Sequence, residues 1–176
     1  MTYLLDNNVV SYFLHSRREA DLMTAARRCS LAISDEVRKE LRRSRRDGER
    51  FQAWFAGGPI ANLAITVGSE VDATFLALAP PTTERGKGER ASIALAAHDL
   101  SLVLVANDRN AMWLALAELH SPGERMIGVP VFLRRLREQA GLVPEAIDAV
   151  MGCYPGRRPT WWAEWRAKLG STTISV

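Results

Sequence analysis

Cysteine and histidine are scarce in this chain. In 176 residues the thiols are Cys29 and Cys153, and the imidazoles are His15, His98 and His120. Two cysteines cannot build a disulfide framework, and these scattered groups do not make a four-ligand zinc site. The expected compartment is the cytoplasm, where both thiols would stay free and buried. Long apolar runs are missing too: no stretch of 18 apolar residues is present to span a bilayer. The opening MTYLLDNNVV places Asp6 inside its first apolar run and has no basic flank, so it does not read as a signal peptide. A dominant charge is also lacking. Lys+Arg number 23 and Asp+Glu 20, a net +3, which permits a polyanionic partner without requiring one. What remains is an ordinary globular composition, 47% hydrophobic and 24% charged, long enough to bury its own core.

Short apolar runs alternate with helical patterns. Strands are expected at Tyr3–Leu5, Leu31–Ile33, Asn62–Val67, Leu102–Val105 and Met126–Val129. Between them the spacing predicts helices from Val9, over Glu19–Arg28, Asp35–Arg45, Phe51–Phe55, Glu70–Leu78, Glu89–His98 and Asp108–His120, and a last one over Pro130–Ala140. Leu102–Val105 is a continuous apolar run, the pattern of a strand covered on both faces. The fold class that follows is α/β, an open parallel sheet of about four to five strands with helices on both faces. Residues 1–150 form the expected domain. A break at Gly152–Pro159 sets off the remainder of 151–176 as a basic, Trp-rich tail.

Sites in such sheets form at the carboxyl ends of the strands. Asp6 ends the first strand, and Asp108 follows the Leu102–Val105 strand in VANDRN. At 100° per residue, Glu40 lies about 60° from Val37 and about 100° from Leu41, so it borders the buried stripe of its helix. Glu36 sits further from that stripe. Glu89 opens the apolar helix of GKGERASIALA. Taken singly, Asp6 and Asp108 could be helix caps, and Glu40 a solvated charge. Taken jointly, four acids from distant parts of the chain fall at one sheet edge. Two like charges 4 Å apart repel by about 4 kcal/mol at an effective dielectric of 20. A cation relieves that cost. Carboxylates without His or Cys suit Mg²⁺ or Mn²⁺, and such a centre suits phosphodiester hydrolysis.

LLDNNVV, AISDEVRKEL, GKGERASIALA and LVLVANDRNA, in that order, resemble the PIN-domain ribonucleases, and IGVPVFLRRL resembles that family's last strand and helix. The resemblance covers roughly residues 1–140. It implies a metal-dependent endoribonuclease with Asp6, Glu40, Glu89 and Asp108 as its catalytic acids, and with Asp6, Glu89 and Asp108 holding Mg²⁺ or Mn²⁺. Asn8 matches the polar residue that steadies the first aspartate, and Asn110 stands where the family often has a further acid. Asn7 replaces the usual Thr or Ser, and Glu89 is a methylene longer than the usual Asp. The nearest subgroup is the VapC-like toxins, which implies RNA as substrate and an antitoxin, or a second copy of the chain, as possible partners. The other reading within this resemblance is a PIN-like scaffold that binds RNA or protein without cutting. A haloacid-dehalogenase phosphatase would need an acid where Asn8 stands. A response-regulator receiver would need an acidic pair at the first strand.

Basic residues fit an RNA partner. Arg85, Lys87 and Arg90 flank Glu89 and are the expected substrate-binding set. Further clusters are Arg42, Arg43, Arg45, Arg46 and Arg50, then Arg134, Arg135 and Arg137, then the tail. In the tail, Trp161, Trp162, Trp165 and Leu169 recur at helical spacing, so this segment is expected to dock on its own domain or on a partner.

Overall fold

The computed structural model describes residues 1–78, 86–107 and 109–155, with the backbone alone for 109–113. Five strands form one parallel sheet: β1 (Thr2–Leu5), β2 (Leu31–Ser34), β3 (Ala61–Leu63), β4 (Leu102–Val105) and β5 (Met126–Ile127). Their order is β3-β2-β1-β4-β5. The chain winds outward from β1 to β3, then returns past β1 to lay down β4 and β5. The reversal falls between β1 and β4, which pair in register from Thr2↔Leu102 to Leu5↔Val105.

Successive strand residues point to opposite faces, and each face is covered. Tyr3, Leu5, Leu31, Ile33, Val103 and Val105 belong to one apolar cluster. It is completed by α1 (Asn7–His15), α2 (Glu19–Ala26), α9 (Val129–Ala140) and α10 (Pro144–Cys153). Leu4, Ala32, Leu102 and Leu104 belong to a second cluster, closed by α6 (Lys87–His98) and α7 (Arg109–Glu118). Burial on both sides explains why the central strands carry no polar alternation. α3 (Asp35–Arg43) adds Val37 and Leu41 to the first cluster. The segments α4 (Gly48–Phe55), α5 (Glu70–Ala77) and α8 (Pro122–Arg125) complete the described helices.

The expected sheet and its helices on both faces are therefore present. The third strand is shorter than expected, because β3 is an edge strand that pairs only with Ala32, Ile33 and Ser34. The last strand ends at Ile127 rather than Val129, which already belongs to α9. Both cysteines are free, as expected, but they are half-buried rather than buried. Desolvation nonetheless pushes the Cys29 thiol above its usual range. Among the described residues no helix is long and apolar enough to cross a membrane.

Candidate active site

Asp6 directly follows β1 at the carboxyl edge of the sheet, where the strand order reverses between β1 and β4 and a crevice is expected. Its backbone N–H donates to Val105 O at 3.1 Å, and its own carbonyl accepts from Val9 N–H at 3.1 Å, so α1 starts directly off β1. The residue is 4% exposed. Asp6 occupies the N-cap position of α1, yet its side chain makes no cap hydrogen bond. The capping role open to a lone aspartate here is thus not the one it plays. Asn8 Nδ2 donates to Asp6 Oδ2 at 3.5 Å.

Glu40 is held by two donors from two other elements. Asn7 Nδ2 donates to Oε2 at 3.1 Å, and the Gly88 N–H donates to Oε1 at 2.9 Å. Gly88 is in the first turn of α6, so the carboxylate also meets the positive end of that helix. The fit leaves no room for a side chain. A Cβ on Gly88 would stand 2.9 Å from Glu40 Oε2 and 2.8 Å from Val37 Cγ2. Glu36, by contrast, pairs with the exposed Lys39 on the outside of α3.

Glu89 follows Gly88 in α6 and is half-buried. Gly86, just before the helix, has φ +71°, a left-handed conformation that favours glycine. Its missing side chain faces Glu89 Oε2 and Arg90 Nη1, which lie 3.6 and 3.8 Å from a Cβ built there. The two glycines of GKGER therefore have separate tasks, one turning the chain and one admitting Glu40. Lys87 is half-buried at the start of α6, while Arg90 is 6% exposed. Arg90 is thus a buried cation under the site rather than a surface arginine. Arg85 and Asp108 lie outside the described residues, as does the side chain of Asn110.

Two connections were not read from the sequence. Asn7 links the β1–α1 corner to Glu40, and Ser11 Oγ in turn donates to Asn7 Oδ1 at 3.2 Å. Beneath it, two fully buried hydroxyls join β2 to α6: Ser34 Oγ accepts from Val37 N–H and donates to Gly88 O, and Ser92 Oγ donates to Ser34 Oγ. Ser34 is the N-cap of α3, and its second bond reaches Gly88, 54 residues away in the chain. On the β4 side, Asn107 Nδ2 donates to Tyr12 Oη at 3.4 Å.

Glu40 thus accepts from Asn7, the residue after Asp6, and from Gly88, the residue before Glu89. Among the described residues no three of His, Cys, Asp and Glu come close enough together to hold a metal ion. The donors present are hard carboxylate oxygens. Mg²⁺ commonly binds through one or two carboxylates and retains water, so Asp6 and Glu89 are chemically suited to it. No protein-family model matches the chain, and no curated protein matches it.

Proposed function

We propose that this protein is a metal-dependent endoribonuclease of the PIN type. The observation that carries the reading is Asp6: a buried carboxylate at the switch point of a parallel sheet, not used to cap the helix it precedes. Mg²⁺ or Mn²⁺ held by Asp6, Glu89 and Asp108 would supply charge at a phosphodiester and an activated water. Glu40, with both oxygens hydrogen-bonded, positions Asn7 and the first turn of α6. Asn8 steadies Asp6. Lys87 and Arg85 offer charge to the substrate phosphate, and Arg90 offsets the carboxylates from below. Within this reading the finer assignment is a VapC-like toxin acting in the cytoplasm, restrained by an antitoxin and able to pair with a second copy of itself.

The test is cleavage of a single-stranded or looped RNA by purified protein with Mn²⁺ added. Asp6→Asn, Glu89→Gln and Asp108→Asn are each expected to abolish cleavage with the far-ultraviolet circular dichroism unchanged. Equal cleavage in excess EDTA would sink the metal mechanism. A second reading, a PIN-like scaffold that binds without cutting, takes support from the absence of a three-acid group among the described residues. Undiminished RNA binding with no product at any metal concentration would favour it.

A further inference from the structure

The arginines that crowd the end of α3 divide into two kinds. Arg50 is used internally: it pairs with Glu19 and donates to Leu14 O at 2.9 Å. Arg38, Arg42, Arg45 and Arg46 have no ion pair or side-chain hydrogen bond among the described residues. Arg38 is half-buried, with its guanidinium 5.4 Å from the centre of the Phe55 ring. Its Nε is shut off from solvent and has no partner, so a ligand in the cleft would have to be met by the terminal nitrogens of the fork. Arg42 is exposed one turn further on. These two, with Phe51, Gln52, Phe55 and Ala56, line an open cleft of about 200 Å³ between α3 and α4. Arg45 and Arg46 stand exposed just past the end of α3.

A planar guanidinium without an ion pair, a second cation at i+4 and an aromatic wall make a particular combination. The guanidinium fork matches a phosphate, and Phe51 and Phe55, themselves stacked at 5.1 Å between ring centres, give the cleft an apolar wall for a base. A duplex keeps its bases stacked and presents none to such a wall. We propose that the α3–α4 cleft is a binding subsite for single-stranded RNA, with a phosphodiester on Arg38 and Arg42 and an unstacked base against Phe55. The inference rests on the ribonuclease reading and gives that enzyme a grip on its substrate away from the acids. Arg38 and Arg42 lie about 160° around α3 from Glu40, so about one helix diameter, 10–12 Å, separates the grip from the crevice. A short stretch of extended strand spans that distance.

The experiment is fluorescence anisotropy of a labelled 12-nucleotide unstructured RNA with the full chain, in EDTA so that nothing is cut. Arg42→Gln is expected to raise Kd several-fold, and Arg38→Gln/Arg42→Gln about tenfold or more. The slope of log Kd against log salt should become shallower by about 1.4 in the double variant, about 0.7 per phosphate contact on a single strand. Asp6→Asn should bind at least as well as the unaltered protein. Arg42 is exposed, so its single variant tests the cleft even if the Arg38 change impairs folding. Unchanged affinity in Arg42→Gln and in any folded double variant would overturn the proposal, as would absence of RNA binding by the unaltered chain. Displacement of the RNA by poly-glutamate at equal charge would overturn it in favour of an acidic protein partner. Cleavage with Mn²⁺, read separately on a gel, keeps the two ideas apart. A chain that binds through these arginines but never cuts loses the enzyme reading and keeps the cleft.

Discussion

Gly88 and Glu40 show how much a site depends on a side chain that is not there. With both oxygens of Glu40 accepting N–H groups, the amide of Glu40→Gln must turn its NH₂ toward either Asn7 Nδ2 or the Gly88 N–H. Donor then faces donor. The expected cost is about 1–2 kcal/mol of stability, with a large loss of RNA cleavage. Glu36→Gln, which removes only an exposed i,i+3 pair with Lys39, should stay within about 0.5 kcal/mol and keep activity. Thermal melts and cleavage rates of the two variants make the comparison, and equal losses would refute the roles given to these residues. The helix angle placed Glu40 beside the buried stripe from sequence alone. Its partners were not legible, because Asn7 reads as a departure from a Thr or Ser position and a backbone N–H has no sequence signature.

Among elements, the strands were easiest to read and the short helices hardest. The apolar runs of β1, β2 and β4 are bounded by polar residues, so their ends could be placed within about a residue. α10 was missed although Pro144 opens it and Ala146, Ile147, Val150 and Met151 form a buried stripe; Gly152 in its last turn resembles a break. α8 has four residues, too few for any periodicity. Its last residue, Arg125, is 8% exposed and donates through Nη2 to the carbonyls of Ala96, Asp99 (2.7 Å) and Leu102 (3.3 Å). It thereby closes the C-terminal end of α6 and ties it to the start of β4. Beside it, hydrogen bonds from the Ser101 side chain and backbone hold the Asp99 carboxyl below its usual range, with the Arg125 charge adding to them. Arg125→Leu is expected to cost on the order of 2 kcal/mol, a fall in Tm of roughly 4–8 °C for a chain of this size. Arg125→Lys keeps the charge but not the fork, and should fall between. A melting temperature unchanged in Arg125→Leu would show that the carbonyls find other donors.

For the whole molecule, the distribution of charge matters more than its sum. Residues 1–155 hold 19 Lys+Arg and 19 Asp+Glu. Residues 156–176 hold Arg157, Arg158, Arg166 and Lys168 against Glu164, so the entire +3 belongs to the tail. The tail lies outside the described residues, but the last described aromatic, Tyr154, packs edge-on against Tyr12 at 6.0 Å between ring centres. Tyr12 in turn touches Asn107 beside the crevice. Changing its four cations to Gln in the full chain is expected to flatten the salt dependence of RNA binding by up to about 2.8 in slope. Anisotropy titrations at three salt concentrations would measure it. A slope equal to that of the unaltered chain would mean that the tail makes no phosphate contact.

The strand order has a consequence for how this protein comes into being. β1 precedes the other four strands in the chain, yet it is the middle of the sheet. Tyr3 needs Leu31 on one side and Val103 on the other. The Asp6 N–H donates to the carbonyl of Val105 in β4. Until Val105 of the 176 residues has been synthesised, the first carboxylate has no second wall and the crevice has no floor. Domains assemble as units during synthesis, and this one cannot assemble from its leading half. If the chain cuts RNA as proposed, translation order acts as a safety interval: the nascent protein stays harmless to its own messenger and to the ribosome until β4 has been made.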